Sequence, residues 1–170
     1  MRPASDTLSE ARSARHPSAA GWLLGIGLGG FVDGIVLHQI LQWHHLLSDE
    51  GSHPTTTVAG LEANTLADGL FHLATWLAVA AGLYLLWRDS QAGRTWIGRR
   101  LLGLMLAGWG AFNLVEGIVD HHILTLHHVK EGDSELAFDL AFLALGAALL
   151  TFGLALARRA ERPAPPARPG

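Results

Sequence analysis

Histidines and carboxylates recur within otherwise apolar sequence, and these residue types can bind a metal ion or carry protons. Residues 31–45 read FVDGIVLHQILQWHH and residues 114–128 read LVEGIVDHHILTLHH, so nine of fifteen positions are identical at an offset of 83. Burying ionisable groups in apolar surroundings costs free energy unless they are paired, ligated or hydrated. We therefore interpret the two segments as an internal duplication whose shared polar positions carry the function.

The expected chemistry is the binding of a transition metal by imidazole and carboxylate groups. The expected ligands are His38, His121, Asp68, His72 and Asp139. This set suits Zn, Fe, Mn or Cu(II). The chain has no cysteine, and its two methionines are Met1 and Met105, which argues against a thiolate or thioether site for Cu(I).

Two further sets of residues flank these ligands if the two helices that carry the duplicated segments continue to about Leu47 and Lys130, respectively. The outer set, expected to capture the metal, is His44, His45, His127 and His128. The deeper set is Asp33 and Glu116, which lie about 21 Å from the helix ends at a rise of 1.5 Å per residue. We expect these two carboxylates to form a second layer or a proton relay. Two alternatives to these roles stay open. The outer histidines could be solvated at the membrane interface, and the carboxylates of the deeper set could be protonated and hydrogen-bonded. His122 projects to the opposite side and is excluded.

The elements that must position these residues are four apolar stretches, at 20–47, 61–87, 101–129 and 135–157. Each reaches the roughly 20 residues that a helix needs to cross a bilayer. The sequence therefore predicts an all-α protein, a bundle of four transmembrane helices spanning 20–157. We expect residues 1–19 and 158–170 to be disordered cytoplasmic tails.

The second part of each copy repeats more faintly. Asp68 and Asp139 are 71 residues apart, as are Phe71 and Phe142. We therefore expect two tandem helical-hairpin repeats, 20–88 and 101–157. Because each repeat contains two spans, both enter the membrane in the same sense, in parallel orientation about a pseudo-twofold axis along the membrane normal.

The repeated motif resembles a bacterial family of predicted membrane proteins, domain of unknown function 2243. The residues that carry the resemblance are Asp33-Gly34-Ile35-Val36, His38 and His44-His45, with their copies Glu116-Gly117-Ile118-Val119, His121 and His127-His128. The resemblance covers about residues 21–156. It implies an integral-membrane protein and supplies no activity.

Three classes of function remain open at this point. The first is a membrane protein with a metal site in the extracytoplasmic half of the bundle, as a redox centre or a metal-handling accessory factor. The second is a cytochrome with haem b between His38 and His121, which is less well supported because the outer half offers only Lys130 for the haem propionates. The third is a small cation or proton transporter. Whether the protein is an enzyme stays open.

Partners and localisation follow from composition. The lipid bilayer is the expected environment, in the bacterial inner membrane, and a homodimer is compatible with four spans. The arginines carry no interleaved aromatic residues, which argues against nucleic-acid binding. Catalytic motifs such as H-E-x-x-H, the P-loop or G-x-S-x-G are absent.

Arginine distribution predicts that both termini and the middle loop are cytoplasmic. Of the twelve Lys and Arg residues, only Lys130 falls in the other two loops. Reporter fusions after Arg94 and at the C-terminus should therefore score cytoplasmic, and a fusion after Ser52 should score extracytoplasmic. An extracytoplasmic C-terminus would contradict this topology.

Overall fold

The structure of the protein, a computed structural model, describes residues 18–48 and 51–160. Within this part every regular element is helical, which confirms the all-α expectation. The helices are α1 (Ala19–Val32), α2 (Val58–Gln91), α3 (Gly98–Glu116) and α4 (Glu135–Ala160). The first and third continue as π-helices, Asp33–Ile40 after α1 and Gly117–Ile123 after α3.

All four helices are long and apolar enough to cross a membrane, over Ala19–Ile40, Val58–Gln91, Gly98–Ile123 and Glu135–Ala160. Large apolar side chains such as Leu70, Trp76 and Phe152 are exposed on α2 and α4. Lipid can cover such surfaces, whereas water cannot do so without cost. Of the tails expected at residues 1–19 and 158–170, residues 1–17 and 161–170 lie outside the described residues. Ala19 begins α1, and Arg158 and Arg159 form part of the last turn of α4.

The ends of α2 have local causes. Thr57 caps its start, because the threonine hydroxyl accepts a hydrogen bond from the Gly60 amide at 3.1 Å. After the last turn the chain leaves through Gly93 at φ +69°, a left-handed conformation that glycine adopts without a steric penalty. This turn lets the short connection from residue 92 to residue 97 lead directly into α3.

The inner pair of helices, α1 and α3, packs together through glycine. A Cβ atom on Gly25 would overlap the carbonyl oxygen of Met105 and lie 2.9 Å from the Cα atom of Gly108. Gly21 of α1 approaches Leu104 of α3, and this contact lies nearer the start of both helices than the contact at Gly25. The contacts thus advance in the same order along both helices, and small residues let the two backbones approach closely in lipid.

The outer helices pack on the inner pair in a matched way. Gly27 of α1 lies against Thr75 of α2, and Gly110 of α3 lies against Gly146 of α4. Gly27 and Gly110 are 83 residues apart, while Thr75 and Gly146 are 71 apart, which are the two offsets of the sequence repeat. Among the described residues, no Cα atom of α2 comes within 8 Å of one in α4. The inner pair therefore forms the centre of the bundle.

The inner helices end earlier than the sequence indicated, at Ile40 and Ile123 instead of near Leu47 and Lys130. Each π-helix closes with a wide turn, in which the Leu41 amide bonds to the Val36 carbonyl and the Leu124 amide to the Val119 carbonyl, both at 2.8 Å. A wider turn changes the angle between successive side chains. The side-chain directions of a regular α-helix therefore do not hold beyond the start of each π-helix.

The chain reverses immediately after each π-helix. Gln42 has φ +50° and Thr125 has φ +48°, and these positions are again 83 apart. Left-handed backbone is unusual for both residue types. The next amides bond six residues back, from Trp43 to Leu37 at 3.0 Å and from Leu126 to Asp120 at 2.9 Å. The segments that follow, 43–48 and 126–130, fold back over the ends of the inner helices.

Close packing at Gly25 predicts that Gly25→Val destabilises the protein. The added side chain meets backbone atoms of α3, and overpacking of this kind costs about 1–3 kcal/mol. The melting temperature in mild detergent should fall. Gly69→Val is the matched control in α2, because nothing lies within 4 Å of a Cβ atom there. Equal melting temperatures for the two variants would contradict the packing described.

Candidate metal centre

Asp68 of α2 gathers the reversed segment of the first copy. Its Oδ1 atom accepts from His38 Nδ1 at 2.8 Å and from the Leu46 amide at 3.0 Å, and its Oδ2 atom accepts from His45 Nδ1 at 2.7 Å. Asn64, one turn earlier, accepts from the Leu47 amide at 2.9 Å. Asp68 thus fixes one imidazole of the π-helix and the backbone that follows His44.

Asp139 of α4 does the same for the second copy. It accepts from His128 Nδ1 at 2.7 Å and from the Val129 amide at 3.0 Å. His121 Nδ1 lies 3.3 Å from the same carboxylate, without hydrogen-bond geometry. These contacts correspond to those of Asp68 residue by residue at the offsets of the repeat.

Two further hydrogen bonds cross between the copies. His44 Nδ1 donates to the Val129 carbonyl at 2.8 Å, and His127 Nδ1 donates to the Leu46 carbonyl at 3.3 Å. A carbonyl oxygen can only accept, so each Nδ1 atom carries the proton. When either imidazole is neutral, its Nε2 atom therefore has a free lone pair.

The anchored imidazoles meet at the centre of the bundle. The rings of His44 and His127 stack, with their centroids 4.5 Å apart. The centroid of the His44 ring also lies 4.4 Å from that of His38, and the centroid of the His127 ring lies 4.8 Å from that of His121. We call the central cluster the six side chains His38, His44, His121, His127, Asp33 and Glu116. All six side chains are at most 5% exposed.

Three overlapping groups within the central cluster each bring three ligand atoms within 4.8 Å of one another. They are His38, His44 and His127; Glu116, His121 and His127; and Asp33, His38 and Glu116. His38, His127 and Glu116 each belong to two of these groups. The side chains are therefore close enough to share one ion or two neighbouring ions.

Several ligand atoms of the central cluster are buried without a hydrogen-bond partner among the described residues. They are the Nε2 atoms of His38, His44, His121 and His127, Asp33 Oδ2 and both carboxylate oxygens of Glu116. His38 Nε2 lies 3.1 Å from Asp33 Oδ2, but without hydrogen-bond geometry. Unsatisfied buried polar atoms are costly, so a concentration of them points to a ligand that satisfies them.

The two histidines that follow the spans are held neutral. Burial, with the neighbouring His38 imidazole, lowers the pKa of His44 from its usual value of 6.5 to about 4. Burial, with the adjacent His44 imidazole, lowers the pKa of His127 to about 2. Both imidazoles are therefore unprotonated at pH 7, which is the form that binds metal ions.

The expected ligands separate into two kinds of position. His38 and His121 lie in the central cluster, whereas Asp68 and Asp139 contact the Nδ1 side of these imidazoles. His72 lies outside the three close groups: its Nδ1 atom donates to the Asp68 carbonyl at 2.8 Å. Such an arrangement, with a carboxylate behind a histidine, is common around metal ions because it fixes the ring and its tautomer.

The depth order expected from sequence is also rearranged. His44 and His127, expected in an outer set, contact His38 and His121 because the chain reverses after each π-helix. His45 and His128 remain peripheral, on Asp68 and Asp139. Asp33 and Glu116, expected to face each other, have ligand atoms within 4.8 Å. His122 is exposed, as its exclusion required.

Asn113 of α3 is a buried polar residue beside the cluster that the sequence reasoning did not single out. Its side chain is 2% exposed, and its Oδ1 atom has no hydrogen-bond partner among the described residues. The position 83 residues earlier is Gly30. The repeat therefore gave no signal here, although an asparagine three residues before Glu116 in an apolar span was itself a signal.

The comparison with known proteins agrees with this architecture. The family model described as Predicted membrane protein (DUF2243) matches residues 20–160, from α1 to the end of α4. No curated protein and no solved structure matches the chain. The family match covers all four helices and both histidine segments, and the chain belongs to the Predicted membrane protein (DUF2243) family.

Proposed function

We propose that this protein is an integral-membrane metalloprotein with a resident transition-metal centre in the central cluster. One observation carries the proposal: the Nε2 atoms of four buried imidazoles have no hydrogen-bond partner among the described residues, while a carboxylate or carbonyl oxygen lies within 3.3 Å of each Nδ1 atom. A metal ion would satisfy these atoms together. With the arginine distribution as the guide to orientation, we propose that the centre lies in the extracytoplasmic half of an inner-membrane protein.

The charges of the cluster suit a divalent cation. Asp33 and Glu116 can supply two negative charges that balance the ion in a low-dielectric interior, where an uncompensated charge is costly. Nitrogen and oxygen donors without sulfur favour Zn, Fe, Mn or Cu(II). The six donors form three overlapping groups of three, which favours two neighbouring ions that share ligands over a single ion.

Burial favours a resident centre over a metal-handling factor. His38 and His127 are 0% exposed, and the reversed segments 43–48 and 126–130 cover the cluster. A protein that passes metal to a partner needs an open route to its ligands. A redox centre needs the ligands to stay in place, so we favour this role.

Packing argues against the other two classes of function. A haem between His38 and His121 would have to displace His44 and His127, whose stacked rings contact both. Transport would need a polar path to the other end of the inner helices, but there the backbones meet at Gly25 and Gly108. Neither contact obstructs a bare metal centre.

Removal of single imidazoles should reduce the bound metal. His38→Ala, His44→Ala, His121→Ala and His127→Ala should each lose most of it, since loss of one ligand greatly weakens a closed site. The measurement is elemental analysis of protein purified in mild detergent, with an absorption spectrum to test for haem. His122→Ala, at an exposed histidine, is the control and should retain the metal.

Asp68→Asn separates a ligand from a positioning residue. Through the orientation of His38 we expect it to weaken metal affinity by about ten- to a hundredfold without removing the site. His72→Ala should retain the wild-type metal content. Equal metal content in His44→Ala, His127→Ala and His122→Ala would refute the proposed centre, as would a Soret band in the wild-type protein.

In the metal-free protein, His44 and His127 should each contribute a loss of stability as the pH falls from 7 to 5. The unfolded chain protonates His44 and His127 below about pH 6.5, whereas the folded protein keeps them neutral until about pH 4 and about pH 2. Protonation therefore favours the unfolded state in this interval, by up to about 1.4 kcal/mol per pH unit for each residue. The melting temperature in detergent, measured against pH, tests this expectation.

His127→Gln is the matched variant for this pH dependence. A glutamine amide can still donate to the Leu46 carbonyl but does not titrate, so the slope between pH 7 and 5 should decrease. His122→Gln should keep the wild-type slope. An unchanged slope in His127→Gln would contradict the buried, neutral state of His127.

A further inference from the structure

A cavity of about 330 Å³ opens on one flank of the protein, between α1 and α4 and above α3. Its lining includes Gly29, Asp33, Trp43, Asn113 and Phe142. Asp33 belongs to the central cluster, so the cavity reaches the proposed metal centre from the side. Its volume is within the range of cavities that bind small molecules.

The opposite flank is filled by a side chain that this flank lacks. Gly29 corresponds to Phe112 at the offset of 83, and the ring of Phe112 lies 6.0 Å from that of Phe71. Phe71 is the counterpart of Phe142, which lines the cavity. The first flank therefore carries a benzyl group where the second has only Gly29, and the indole of Trp109 lies against that glycine and lines the cavity.

Two residues of the lining carry a buried side-chain oxygen that accepts hydrogen bonds. Asn113 Oδ1 and Asp33 Oδ2 are buried without a hydrogen-bond partner among the described residues, and both residues line the cavity. Asn113 corresponds to Gly30, so its acceptor exists on this flank and not on the other. Asp33 Oδ2 belongs to the proposed metal centre, whereas a molecule that satisfies Asn113 Oδ1 must donate a hydrogen bond.

The rest of the lining is aromatic and apolar. Trp43, Trp109, Phe138 and Phe142 surround the space, with the rings of Trp43 and Phe138 in an edge-to-face pair 5.4 Å apart. Aromatic walls favour an aromatic guest through offset or edge-to-face contacts. Val32 and Leu145 line the cavity and are exposed towards lipid, so an apolar tail can leave through this side.

We propose that this cavity binds a membrane-soluble phenol or hydroquinone. The ring lies among the aromatic side chains, and the hydroxyl group donates to Asn113 Oδ1, beside Asp33. This inference rests on the proposed function in one respect: the phenol or hydroquinone is the class of molecule that would reach the proposed metal centre. Binding itself requires no metal ion.

The test compares para-pentylphenol with its methyl ether, which has the same shape but no hydroxyl donor. Binding to the full-length protein in mild detergent is followed by quenching of tryptophan fluorescence. The phenol should bind at least about tenfold more tightly than the ether, because the ether leaves a buried acceptor unpaired. Asn113→Leu should remove this difference.

Ala141→Phe tests the location of the site without touching the central cluster. Ala141 lines the cavity, so the added ring should weaken binding of both compounds. Ala144→Phe is the matched control, since Ala144 is exposed on the same helix outside the cavity lining, and it should bind as wild type.

The same titrations on protein treated with a chelator separate the two proposals. Phenol binding in a protein that never contains metal would refute the metal centre and leave the cavity assignment intact. Equal affinity for phenol and ether, or unchanged binding in Ala141→Phe, would overturn the cavity assignment whatever the metal content.

Discussion

The architecture of the site depends on two buried aspartates that each hold a reversed segment of chain. Asp68 and Asp139 accept hydrogen bonds from a backbone amide and from the second histidine of each His-His pair. Without these acceptors, a chain that turns back over the ends of two apolar helices would bury unpaired donors. With them, His44 and His127 are carried onto the axis between α1 and α3. The same carboxylates lie against the Nδ1 atoms of His38 and His121, so the positions of all four inward imidazoles depend on two residues of the outer helices.

The fold was largely predictable because the relevant signals are long and local. Four apolar stretches of sufficient length predict four membrane helices, and the glycines of α1 and α3 predict close packing. The site was only partly predictable. His38, His121, Asp33 and Glu116 follow from the repeat, because equivalent residues on helices that run side by side lie at equal depth. The sequence reasoning placed His44 and His127 too far out because it assumed that the α-helices continue to about Leu47 and Lys130. The reversal at Gln42 and Thr125 carries no sequence signature, because residues in the left-handed conformation are usually glycine or asparagine.

The positions at which the two copies differ are as informative as those at which they agree. Matched positions build the central cluster and the glycine contacts. Gly29 against Phe112 and Gly30 against Asn113 are mismatched pairs, and they lie together on the flank beside Asp33. A single chain with two copies can change one of them alone, which a symmetric pair of identical chains cannot do. The interpretation of the repeat therefore explains both a shared centre and an opening on one side of it.

The crossed hydrogen bonds make the two loops interdependent. His44 is anchored by the carbonyl of Val129, two residues beyond His127, and His127 by the carbonyl of Leu46, two residues beyond His44. Each loop thus supplies one ligand of the proposed metal centre and the support for the ligand of the other. If one loop opens, both imidazoles lose their orientation in the same event, and half of the site cannot persist alone. Assembly and loss of the proposed centre should therefore be all-or-none, so that partial occupancy of a sample would reflect a mixture of complete and empty molecules.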